Sequence, residues 1–371
     1  MAPPSELIDD VLAEILLRLP PDDPACLVRA SLVCKPWRRV LSDPAFPRRY
    51  RAFHGAPPLL GFLRTSCTEK ASYVPSFIPI AARSPLLQPA FHYPAGRTLD
   101  CRHGRVLLDK LGGEEGGMLA VWDPIAGDRK VLPMPRSRYY YSHNAAVLCA
   151  AAGCDHLDCH GGPFLVVFVG CDVNTGDAWV AWASVYSSEA GEWSSPASVH
   201  LAPESFFPRN RGALVGDELY FVLSPNTAIL KYDLGSHCLS LMDSPYAYDK
   251  RVVLMAMEDG SLGLAGISGP NLYLWSRKVN PMGAAAWERF RAVSVQKSFR
   301  PSKGAKLIGF AENVGVLLVG TDACAFTFEL SSGRVRKLSK PGWCYYGALP
   351  FMSFYTPDCA NSKKPLSAET N

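Results

Sequence analysis

Between Leu7 and Leu19 the apolar residues fall at positions 7, 8, 11, 12, 15, 16 and 19. That spacing keeps one broad face of a helix apolar, while Asp9, Asp10 and Glu14 lie opposite it. Ser5 is placed to cap the helix, and the acids stand near its N-terminus, where the helix dipole favours negative charge. Pro20 and Pro21 end it. A second helical run extends from Ala25 to Leu41 with Pro36 inside it. A proline removes a backbone donor and clashes with the preceding turn, so this run is predicted to kink or divide there. Ser42-Asp43-Pro44 closes it. The pattern predicts a unit of three short helices over residues 5–53, joined by a short linker, 54–58, to the rest of the chain.

From residue 59 the texture changes to runs of four to eight β-branched and aromatic residues separated by Gly, Asp, Asn and Pro. One layout recurs: an aromatic-bearing strand, a tight polar turn and a return strand. It appears in 119–133, 183–196, 228–245, 325–341 and, in a longer form, 271–293, each time after an inner hairpin pattern. Trp122, Tyr186, Tyr232, Trp275 and Phe328 mark equivalent strands, at separations of 64, 46, 43 and 53 residues. A β-propeller blade holds four strands in roughly 40 to 50 residues. Five units are therefore visible, and a sixth forms if segment 58–65 pairs with the last strand, 348–357. Sharing a blade between the two ends closes the ring and hides its edges. The expected fold class is α+β multidomain: a short N-terminal helical unit followed by an all-β propeller over residues 59–357, with six blades favoured and seven still open. The Gly-rich acidic stretch 111–118 reads as a hairpin tip, and the polar tail 358–371 as disordered.

Composition adds boundaries. Gly 30 and Pro 31 in 371 residues suit many short strands and turns. The net charge of +4 gives little reason to expect nucleic acid or a membrane as partner. The basic residues Lys35, Arg38, Arg39, Arg48, Arg49 and Arg51 stand in a segment, 1–58, that holds eight Lys/Arg against seven Asp/Glu, so they read as a solvated helix face. No apolar run approaches the length of a membrane span, and the acidic start MAPPSELIDD lacks the pattern of a secretory signal. The expectation is an intracellular protein of cytoplasm or nucleus with reduced cysteines.

About 45 residues rarely bury enough surface to be stable alone, yet the first helices are apolar over broad faces. Leu7, Val11, Ile15, Val33 and Trp37 therefore call for a partner. The segment Leu7 to Phe46 closely resembles the F-box. Leu7, the Asp9–Asp10 pair, the run Ile15-Leu16-Leu17-Arg18-Leu19-Pro20, and Val33-Cys34-Lys35 followed by Trp37 stand in the family's order. Ile8 departs from it, since the family usually has Pro there. The resemblance implies docking on the Skp-type adaptor of a cullin-based ubiquitin ligase through Leu7, Ile8, Val11, Leu12, Ile15, Leu16, Val33, Cys34, Trp37 and Leu41. The β region, with YDL (232–234), LYLW (272–275) and SFYTP (353–357), resembles the F-box-associated β domain of plant, especially grass, F-box proteins.

Candidate chemistry is sparse. CDHLDCHGG, Cys154 to Gly162, offers Cys154, His156, Cys159 and His160 as zinc ligands. All four sit in one local segment with no second pair elsewhere, so the loop is read as polar and metal-free. No phosphate loop, dinucleotide fingerprint or nucleophile elbow is present. No catalytic residue, cofactor or metal is expected. The resulting expectation is a non-catalytic substrate receptor of an SCF-type (Skp–cullin–F-box) ligase with an unknown protein target. The alternatives are a propeller enzyme using the 154–160 cluster and an adaptor-binding protein without a ubiquitination substrate.

Overall fold

Pro36 divides the second helical run by starting a helix. The computed structural model describes residues 9–67, 73–80, 96–110, 117–135, 141–157, 159–173, 178–225, 228–245, 252–280, 282–283, 285–295, 305–321, 324–338 and 348–356. Helix α1 spans Asp9–Leu17, α2 Ala25–Ser31 and α3 Lys35–Leu41. Pro36 lies in the first turn of α3, where its missing N–H has no helical partner to lose, and the extended Cys34 (φ −160°, ψ 167°) turns the chain into it. A fourth helix, α4 (Ala45–His54), corrects the expected count of three. Ser42-Asp43-Pro44, read as a stop, is also a start. Asp43 Oδ1 accepts the N–H of Ala45 at 2.8 Å, and Gly55 at φ 71° closes the far end in the left-handed conformation. The four helices bury Leu12, Ala13, Leu16, Leu17, Leu27, Ala30, Val40, Leu41, Phe46 and Tyr50 together, and Phe354 of the β region completes that cluster.

Twenty-three strands form six antiparallel sheets among the described residues. One sheet joins β1 (Leu59–Cys67) and β2 (Tyr73–Pro79) to the last strand, β23 (Ala348–Met352), in the order β2-β1-β23. The next holds β3 (Arg97–Arg102), β4 (Arg105–Lys110), β5 (Met118–Trp122) and β6 (Arg129–Pro133). Then come β7 (Ser142–Cys149), β8 (Phe164–Val173), β9 (Trp179–Ser187) and β10 (Ala197–His200), followed by β11 (Ala213–Val215), β12 (Glu218–Val222), β13 (Ile229–Asp233) and β14 (Cys238–Met242). The last two blades are β15 (Val253–Ala256), β16 (Leu262–Ser268), β17 (Asn271–Val279) and β18 (Ala285–Ser294), then β19 (Lys306–Ala311), β20 (Val316–Gly320), β21 (Ala325–Glu329) and β22 (Val335–Lys337). This is a six-bladed β-propeller, and the first and last strands share a blade as the pattern predicted. Arg64 pairs with Ala348 and Leu59 with Met352. Gly309 of β19 lies against the Ala348 carbonyl so closely that a Cβ there would collide with it. Trp122, Tyr186, Tyr232, Trp275 and Phe328 all fall on the third strand of their blades. The acidic stretch 111–116 and the tail from 357 onward lie outside the described residues, so neither expectation for them is addressed.

The innermost strands meet around a charged axis. Asp100 of β3 is fully buried. It accepts Nε of Arg211 at 2.7 Å and the N–H of Val147 at 3.0 Å, and Arg102 Nη1 stands 3.8 Å away. Glu312 binds the other faces of Arg211 and Arg102 at 3.4 and 3.7 Å. Arg102 also donates to the Gly212 carbonyl at 2.8 Å. Four blades are thereby tied across the axis. Burial opposes the charge on Asp100, but Arg102, Arg211 and the Val147 N–H more than offset it and hold the carboxyl below its ordinary value of 3.8. A group whose folded pKa is depressed adds stability above its unfolded pKa and loses it as pH falls through the folded one. Asp100→Asn should therefore cost about 3–5 kcal/mol at neutral pH by stranding buried guanidinium charge. The gap to the wild type should narrow below about pH 4, as the wild-type carboxyl protonates. Urea melts of both proteins across pH decide this; a gap that is absent at neutral pH, or that widens in acid, contradicts it.

Candidate functional site

The helical unit closes its own core yet keeps an apolar surface. On α1, Val11 and Ile15 are 46% and 45% exposed, one turn apart. In the turn between α2 and α3, Leu32 and Val33 are 78% and 62% exposed, and Cys34 is exposed beside them. Trp37 is half-buried and packs on the helical core, so only part of its ring reaches solvent. Leu12, Leu16 and Leu41 are buried inside that core, and their side chains do not form the outer surface. Leu7 and Ile8 lie outside the described residues. Sequence reasoning placed all these residues in one set but did not include Leu32, which is the most exposed of the group; its position beside Val33 is the signal that could have found it. Lys35, Arg38 and Arg39 of α3 are exposed, with Arg39 paired to Asp9 at 2.7 Å on the surface.

This unit sits on one end of the propeller. Tyr50 of α4 packs edge-on against Phe354, with ring centroids 6.1 Å apart. Val28 of α2 rests on the cluster containing Leu60, Phe351 and Tyr355. Leu157, from the loop joining β7 to β8, also packs against the helical core. A cavity of about 650 Å³ opens at the same end, lined by Pro57, Arg102, His103, His156, Glu312 and Ser353.

The β7–β8 loop is organised around sulfur. Cys149 at the end of β7, Cys154, His156 and Cys159 bring one ligand-type atom each to within 4.8 Å of one another. The sulfurs of Cys154 and Cys159 are 3.7 Å apart, and Nδ1 of His156 is 3.6 Å from the Cys159 sulfur. The N–H of His156 points at the Cys154 sulfur at 3.4 Å. The His156 ring stacks on His103, centroids 4.1 Å apart and 8° from parallel. Burial and the neighbouring His156 push His103 down to about 3, so its neutral Nδ1 accepts the N–H of Cys149 at 3.2 Å. His160, expected as the fourth member, is engaged elsewhere. Its Nδ1 meets Asp123 Oδ2 and its Nε2 lies 3.3 Å from Ser353 Oγ. Cys149, from outside the 154–160 segment, takes the fourth place in the cluster instead. The strand AAVLC disguised it as one more small apolar residue, although the spacing C-x4-C-x-H-x2-C was available to find it.

Comparison with known proteins agrees with this architecture. Residues 4–49 match the model of the F-box domain, and residues 97–358 match the model described as F-box protein AT5G49610-like, beta-propeller. The F-box protein At3g16210 of Arabidopsis thaliana is 24% identical over 240 residues. The match covers 62% of this chain and 58% of the relative, so the chain spans less than two thirds of that relative's length. Among solved structures, TolB from Acinetobacter baumannii superposes with a TM-score of 0.44 at 13% identity, covering 83% of this chain and 71% of TolB. The six-bladed lectin of Aleuria aurantia superposes with a TM-score of 0.42 at 11% identity, covering 73% and 89%. With an F-box at its start and the matching propeller over most of its length, the chain belongs to the family of AT5G49610-like F-box proteins with a β-propeller.

Proposed function

We propose that this protein is the substrate-receptor subunit of an SCF-type ubiquitin ligase. It docks on a Skp-type adaptor, and through it on a cullin, and holds a protein target on the propeller. The observation that carries this reading is the apolar surface of Val11, Ile15, Leu32 and Val33, left exposed by helices whose core is already filled. A patch of that kind on a charged helical unit marks a protein contact. The target is held at the propeller end away from the helices, where Tyr73, Arg97, His143 and Arg209 gather. Arg209 donates to the Tyr73 hydroxyl at 3.0 Å there, and Arg97 and His143 share Asp109. The chain supplies no catalytic group of its own in this mechanism. It raises the effective concentration of the target beside the ubiquitin carried by the other subunits. No helix among the described residues is long and apolar enough to cross a membrane, and recruitment of a target needs no membrane anchor.

Co-purification with a Skp-type adaptor tests the docking. Ile15→Asp combined with Val33→Asp should abolish it, because each lost apolar contact is worth on the order of 2 kcal/mol and together they weaken binding about 10³-fold. The melting temperature should stay within a few degrees of wild type, since both side chains are exposed. Leu12→Asp is the contrasting variant. It introduces a charge into the helical core and should lower stability as well as binding. Undiminished adaptor capture by the folded Ile15/Val33 variant refutes the docking surface.

A further inference from the structure

We propose that Cys149, Cys154, His156 and Cys159 form a structural zinc site that clamps the β7–β8 loop between the propeller and the helical unit. Tetrahedral zinc holds sulfur at about 2.3 Å and imidazole nitrogen at about 2.1 Å, which sets sulfur–sulfur edges of about 3.8 Å and sulfur–nitrogen edges of about 3.6 Å. The Cys154–Cys159 and Cys159–His156 separations of 3.7 and 3.6 Å fall on those edges. Two thiols in simple contact would lie equally close. Packing alone gives no reason for a third sulfur and an imidazole nitrogen to face the same point, from a strand end and three loop positions.

The surroundings suit three thiolates. The His156 N–H directed at the Cys154 sulfur is a donor that a thiolate accepts well. His103 steadies both the His156 ring and the Cys149 backbone, as the residues around metal ligands commonly do. Arg105 supplies the charge argument. It is 4% exposed, donates to the carbonyls of Cys159 and Gly162, and has no carboxylate partner among the described residues. Its Nη1 is buried without a hydrogen bond. A buried guanidinium calls for negative charge nearby. Zn²⁺ with three thiolates and a neutral imidazole carries a net charge of −1, the sign Arg105 lacks. Three cysteines and one histidine favour zinc among biological metals, and four protein ligands leave no open position for hydrolytic chemistry. On binding, the three thiols release their protons to solvent.

The consequence reaches the helices. Leu157 stands between His156 and Cys159 and packs on the helical core, so fixing the loop fixes one support of the helical unit on the propeller. Full-length protein purified with zinc in the growth medium should contain one zinc per chain by elemental analysis. Cys149→Ser should lose it, and Cys238→Ser, at an exposed site on another blade, should keep it. A chelator should lower the melting temperature of wild type and leave Cys149→Ser unmoved. Should Cys149→Ser be insoluble, wild type alone decides. Its cobalt-exchanged form should show thiolate-to-metal charge transfer and tetrahedral visible bands, and zinc should shield Cys149, Cys154 and Cys159 from alkylation. Zinc no higher in wild type than in Cys149→Ser, a Cys154–Cys159 disulfide in the intact protein, or unshielded thiols overturns the site; stoichiometric iron or copper overturns its assignment to zinc.

Discussion

Deleting residues 348–371 should unfold the entire β region, whereas a chain ending at residue 357 should melt like the full-length protein. The difference lies in β23. This strand is the innermost member of a blade whose other two strands come from the beginning of the propeller, and it pairs with β1 from Leu59 to Arg64. Leu349 and Phe351 pack in one cluster with Leu60, Leu63, Val106 and Trp122, while Ala348 joins Phe62, Ile308 and Leu318 in another. The strand therefore wedges the first blade against both neighbours. Burying Leu349, Phe351, Phe354 and Tyr355 is worth roughly 2 kcal/mol each, or about 8 kcal/mol together, which matches the whole stability of an ordinary domain. Its removal also leaves the backbone groups of β1 unpaired in the middle of a sheet. All of these contacts lie before residue 357. Circular dichroism melts of the two truncations separate the outcomes. A folded, cooperative propeller without β23 would show that closure contributes little.

Closure was legible because it rests on short-range signals repeated along the chain. Strands alternate, turns carry Gly, Asp or Asn, and an aromatic residue marks each third strand. Five such units leave one blade to be made from the two ends. The axial ion pairs were hidden for the opposite reason. Arg211 and Asp100 are 111 residues apart, and nothing in the local pattern around either says that they meet. The same limit explains the docking face. Periodicity shows that α1 is apolar over half its circumference, but the packing of α3 and α4 decides that Leu12 and Leu16 face inward while Val11 and Ile15 stay out. Helix α4 was missed because a proline following an aspartate was read only as an ending. Cys149 was missed because its strand looked complete without a chemical role, although it stands close in sequence to the cysteines of the β7–β8 loop that the fold brings it to.

Tyr50→Ala should cost about 3–5 kcal/mol and loosen the helical unit from the propeller, while Tyr50→Phe should cost only about 1 kcal/mol. Tyr50 is 1% exposed, at the point where the two parts of the chain meet. Its ring stacks on Phe46 at 5.9 Å, meets His54 edge-on at 4.5 Å and faces Phe354 at 6.1 Å. Its hydroxyl donates to the Leu19 carbonyl at 2.8 Å, so α4 holds both the propeller and the end of the first helical segment. Burial, followed by Asp22, pushes the phenol pKa upward, and the hydroxyl stays protonated as a donor across the physiological range. The alanine variant removes three aromatic contacts and leaves a ring-sized void beside Phe354. The phenylalanine variant removes one hydrogen bond and keeps the packing. Protease cleavage in residues 54–58 reports the loosening, because that segment is the covalent joint between the two parts. Faster cleavage in Tyr50→Ala, with Tyr50→Phe close to wild type, is the expected result. Equal cleavage rates in all three would mean that the helical unit is held by contacts other than this ring, with Val28 and Leu157 then the next side chains to truncate.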